Sequence, residues 1–139
     1  MAISTAMCTS FKKELLEGVH DFTTDTFKIA LYSSSASLGA ATTAYSTSNE
    51  VSGTGYSAGG VTLSAVAPSI DGTTGLVDFG DPSWSNATFS TSGALIYNSS
   101  KSNKAVAVYS FGSNQSVTSS TFNITMPAAA AGTAIVRIN

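Results

Sequence analysis

Charge is what this chain has least of. Only 10% of its 139 residues are Asp, Glu, Lys or Arg, against roughly 25% in an ordinary domain. The net charge of −2 and a pI near 5.0 provide no basic field to hold a phosphate backbone, which argues against nucleic acid as a partner. The single cysteine, Cys8, rules out an intrachain disulfide and a cysteine zinc cluster. The single histidine, His20, has no second imidazole to share a metal with and no serine–histidine–acid spacing around it. No apolar run approaches the roughly 20 residues of a membrane-spanning helix, so no membrane partner is expected. The start lacks the charged and apolar regions of a secretory signal, and we expect synthesis and folding in a cytoplasm.

What remains is apolar, hydroxylated and regularly punctuated. An apolar fraction of 42% fills a core, and the length suits one domain over 1–139. Ser and Thr take the place of charges. After a small-residue lead-in over 1–9, Phe11, Leu15 and Val19 recur every four positions, with Leu16 beside them. Ser10 as first cap and Gly18 as left-handed stop predict a helix over about 10–18. Lys12, Lys13, Glu14 and Glu17 form its wet face.

The period then changes to two. Thr26–Tyr32 predicts a half-buried strand, and Ser33–Thr43 a surface loop. Val61, Leu63, Ala65 and Ala67 alternate with Thr62, Ser64 and Val66 in a second strand that stops at Pro68. Asp71-Gly72 signals a turn, Leu76–Phe79 a short strand, and Gly80-Asp81-Pro82 its end. Another strand is expected over Ala87–Thr91. Gly93–Tyr97 and Ala105–Phe111 are apolar almost throughout, with a polar turn between, and predict a central hairpin covered on both faces. Thr121–Met126 alternates, and Ala134–Ile138 closes the chain. Seven or eight short strands and one N-terminal helix predict a mainly β fold, a jelly roll or β-sandwich.

Few residues invite chemistry. His20 reads as a structural group at a helix end, and Cys8 as a small buried side chain. Asp71, Asp78 and Asp81 lie close enough together to suggest calcium, but they lack the spacing and distal glutamate of a calcium loop and read as turn formers. Gly53-x-Gly55-x-x-Ala58 has the spacing of a dinucleotide loop, yet Gly59-Gly60 would break the helix that must follow. Lys101 and Lys104 keep a hairpin tip hydrated. Trp84, Tyr97, Tyr109 and Phe111 have the faces to stack on a sugar, though in central strands they read as core. The glycosylation triplets at Asn86, Asn98, Asn114 and Asn123 arise by chance in a chain this rich in Ser and Thr. No acidic pair has the context of a glycosidase, so neither a catalytic role nor a cofactor is expected.

The most unusual stretch is Tyr45–Leu63, where Gly53, Gly55, Gly59 and Gly60 surround Tyr56. With the segment Asn49–Gly60, Phe79–Thr88, Gly93–Asn98 and the Ala134–Ile138 ending, the chain resembles a family of small virion proteins of tailed bacteriophages. The resemblance covers nearly the whole chain. It implies a head decoration (cement) protein on the capsid surface of the virion, partnered by the major capsid protein and by its own copies, with a trimer expected. On that reading Asn49, Glu50, Gly53, Gly55, Tyr56, Gly59 and Gly60, together with the residues before the helix, are the candidate contacts to neighbours. A receptor- or glycan-binding module of a tail or fibre is the alternative, and it calls for an exposed aromatic groove near Trp84.

Overall fold

The computed structural model describes residues 2–64 and 67–138. Its elements in chain order are β1 (Ala6–Met7), α1 (Thr9–Leu16), β2 (Phe27–Tyr32), β3 (Val61–Thr62), β4 (Ser69–Asp71), β5 (Thr74–Val77), β6 (Ser83–Asn98), β7 (Lys104–Asn123) and β8 (Val136–Ile138). They form two antiparallel sheets with the orders β1-β7-β6-β2-β3 and β4-β5-β8. The fold is mainly β, a sandwich-like pair of sheets with one short helix.

The β6–β7 hairpin is the spine. From Ala94 to Asn98 and from Ala105 to Val108 every residue is buried, because β2 flanks β6 on one side and β1 flanks β7 on the other. The polar turn between them bends at Ser102 and Asn103, both with positive φ. One cluster containing Phe11, Phe22, Phe27, Phe79, Leu95, Val106, Met126 and Val136 draws on both sheets and the helix. Phe22 stacks flat on Phe27 at 4.5 Å, and Phe79 of the second sheet's side closes against both.

Several sequence expectations shift. The helix covers Thr9–Leu16, with Cys8 rather than Ser10 at its N-cap and no side-chain cap; Ser10 Oγ is buried and unpartnered among the described residues. Gly18, at φ +73, ends it in a left-handed turn, as its position predicts. β2 is buried on both faces except at Lys28, not half-buried, since the strand lies inside the sheet rather than at its edge. The second expected strand shrinks to Val61–Thr62; Leu63 still donates to the Phe27 carbonyl, and Ala65 and Val66 lie outside the described residues. The tight Asp71↔Thr74 hairpin starts β5 at Thr74 and ends it at Val77. β8 begins at Val136 because Ala134 is tied back to Ala130. The strands are also not all short: β6 has 16 residues and β7 has 20, fusing the expected strands over Ala87–Thr91 and the start of Thr121–Met126 into one hairpin.

Candidate functional site

The glycine-rich segment is folded against its own sheet. Glu50 is its hub. The carboxylate accepts hydrogen bonds from the Tyr45 hydroxyl (2.7 Å), the Tyr56 hydroxyl (2.6 Å) and the Gly59 amide (2.8 Å). Tyr56 in turn accepts the Leu31 amide, and Tyr97 donates to the Gly59 carbonyl, so β2 and β6 are both tied to the loop. Burial pushes the Tyr32, Tyr45 and Tyr56 phenols well above their ordinary value, and the Glu50 carboxylate pushes Tyr45 and Tyr56 further in the same direction. Three phenols around one acid therefore stay protonated donors.

The glycines serve the same packing. At Gly60 (φ +76) a Cβ would overlap the Ile29 carbonyl, and at Gly55 it would lie 2.9 Å from the Ala87 Cα. Gly53 sits as close to Thr88, whose amide donates to the Thr54 carbonyl. The segment thus covers the outer edge of β6. Asn49 holds a left-handed turn (φ 62) and accepts the Ser33 amide through its carbonyl. The residues before the helix are also woven in: Ala6 pairs with Val108, and the Ser4 amide donates to the Leu38 carbonyl. Every candidate contact residue has an internal duty. The side exposed at Ser52, Thr54, Ser57 and Ala58 is left for anything outside.

His20 is buried at the helix end. Its Nε2 lies 2.9 Å from Glu14 Oε1, and its Nδ1 lies 3.0 Å from Asn98 Nδ2. Asn98 spends its second N–H on Asp25 and its carbonyl oxygen on the Ser100 amide. An Nε2–H tautomer satisfies all of these groups, an assignment made from the network. Glu14 is therefore not on the wet face: it is a half-buried link between His20 and, at 3.5 Å, Lys104. Lys101 reaches toward Asp25 at 3.8 Å. Burial opposes ionisation of Asp25, yet hydrogen bonds from Asn98 and the Asp21 amide hold its pKa below the usual range. This network clamps the helix end to the hairpin tip.

The remaining candidates separate. Asp71 accepts the Ala131 amide and Asp81 the Met126 amide, so each carboxylate ties together segments distant in the chain rather than capping its own turn. Among the described residues no three His, Cys, Asp or Glu side chains gather in a way that would hold a metal. Cys8 is fully buried, and desolvation followed by Glu14 raises its thiol to about 11, which disfavours the thiolate. Trp84 and Tyr97 are core, with Trp84 packed between Tyr56 and Phe122. Tyr109 and Phe111 are only half-buried.

Sequence reasoning missed one surface. Leu15, Phe22, Pro68, Ile70, Leu76, Val136 and Ile138 line an almost wholly apolar groove of about 370 Å³ on the three-stranded sheet. Ile70 is 80% exposed and Ile138 59%. Strands of three or four residues show too little alternation to reveal such a face in advance.

No family model, curated protein or solved structure matches this chain.

Proposed function

We propose that this protein is a decoration (cement) protein of a tailed-bacteriophage head, bound to the outer capsid shell and acting by adhesion, not catalysis. The observation that carries this reading is the apolar groove flanked by Ile70 and Ile138, which leaves large side chains in water where, among the described residues, only Leu16 is otherwise so exposed. Exposed apolar faces of this kind mark protein contacts. The low charge supports it too, because wide contact with a shell then buries few ions that would need partners. The resemblance over Asn49–Gly60, Phe79–Thr88 and Gly93–Asn98 supplies the phage head as the setting.

The mechanism is mass action. A protein that binds the assembled shell and not its separated parts stabilises the shell by its binding free energy. Symmetric copies, a trimer at three-fold positions being the proposed state, bridge neighbouring capsid subunits. The test is addition of purified protein to undecorated heads, followed by cryo-electron imaging and a thermal rupture assay. We expect density on the capsid faces and a raised rupture temperature, both lost in the double variant Ile70→Ser, Ile138→Ser. Density on the tail, or none on the particle, overturns the reading.

A further inference from the structure

We propose that β7 also carries a shallow binding groove for a neutral saccharide, built by Tyr109, Phe111 and Phe122 with Gln115, Asn123 and Thr125. The groove arises from a break in the hairpin. Pairing passes from Gly93↔Ser110 to Thr91↔Gln115, so Ser92 alone stands opposite Phe111, Gly112, Ser113 and Asn114. Gly112, at φ +78, supplies the turn this bulge needs. The extra residues bring Phe111 over the far limb of its own strand, where its ring centroid lies 6.2 Å from that of Phe122. The resulting hollow is about 330 Å³.

Three rings form the floor. Tyr109 and Phe111 are 5.9 Å apart, and all three are half-buried, fixed on one side and open on the other. Phe122 is held from behind by Trp84 and Phe89. Around them the lining is polar and uncharged. The Asn123 amide and the Tyr109 and Thr125 hydroxyls make no hydrogen bonds among the described residues, while Gln115 is steadied by Ser113. An ionic ligand would find no counter-charge here, and a purely apolar one would bury these amides and hydroxyls unpaired. A pyranose offers what the lining asks for: a C–H face for the rings and hydroxyls for the amides.

This site lies on the five-stranded sheet and does not depend on the capsid reading. Trp84, the sole tryptophan, touches Phe122 and reports on the groove by its fluorescence. The test titrates the full chain with neutral trimers of β-1,4-glucose, α-1,4-glucose and β-1,4-N-acetylglucosamine, and with a galacturonic acid trimer as charged control. We expect saturable binding of at least one neutral trimer in the millimolar range or tighter, weaker binding of the acidic one, and a loss of roughly tenfold in Phe111→Ala. Asn123→Ala, on an exposed side chain, should show a similar loss with an unchanged fold by circular dichroism. Ile70→Ser should bind sugar as the parent does. Silence toward every neutral trimer, equal binding of the charged trimer, or full binding by both groove variants overturns the proposal.

Discussion

The two halves of the β6–β7 hairpin are one continuous pair of strands with opposite characters. Near the turn, Ala94–Asn98 and Ala105–Val108 are sealed on both faces and flanked by β2 and β1. Farther out, Gly112–Asn123 carries Ser, Thr, Asn and Gln, exposed at nearly every position. There the glycine-rich segment covers the β6 edge, while among the described residues no strand pairs with the β7 edge beyond Ser110. The two strands stay partnered along the hairpin, with register shifts in both halves, and burial is what separates the halves. The inner half should hold the fold, and the outer half should be free to meet other molecules.

Substitutions that probe each half should separate them by size of effect. Leu95→Ala, at a fully buried inner position, should cost about 3 kcal/mol in urea unfolding. Gly60→Ala should cost at least about 2 kcal/mol despite lying in a loop, because the Ile29 carbonyl occupies the space and φ is positive; a loss below about 0.5 kcal/mol would show the segment is not pinned to β2. Tyr56→Phe removes the donor to Glu50 and the acceptor for Leu31, and should cost about 1–2 kcal/mol. Ser116→Ala, which breaks only the exposed 2.8 Å contact with Ser90, should stay within about 0.5 kcal/mol. If Ser116 mattered as much as Leu95, the division of labour would be wrong.

A pH titration sharpens the same contrast. Phenols in the unfolded chain ionise near their ordinary value of 10.0, while folded Tyr32, Tyr45 and Tyr56 keep their protons beyond it. Their contribution to stability is complete below pH 10 and declines as pH rises above it. The melting temperature should therefore fall above pH 10, and Tyr56→Phe should flatten that fall.

What the sequence disclosed follows the same boundary. The sealed hairpin core was visible because strands covered on both sides lose their alternation, and the polar stretch before Lys104 marked its turn, as Asp71-Gly72 marked that of β4 and β5. Gly53–Gly60 stood out by composition, but nothing in the string says that the Ile29 backbone lies over Gly60 or that Glu50 gathers Tyr45, Tyr56 and Gly59. Glu14 was misplaced for a related reason: helical spacing set it beside Lys13, while its partners His20 and Lys104 come from a following loop and a distant strand. Trp84 and Phe111 looked alike in sequence. Only the bulge at Phe111–Asn114 separates the ring that is buried from the one left half-open.

The pairing of β1 with β7 has a kinetic consequence. Ala6 emerges from the ribosome early and must wait for Val108 before its backbone is matched, and Met7 meets Arg137 later still. With contacts so distant along the chain, the sheet cannot close until β7 has emerged, and the protein should fold slowly.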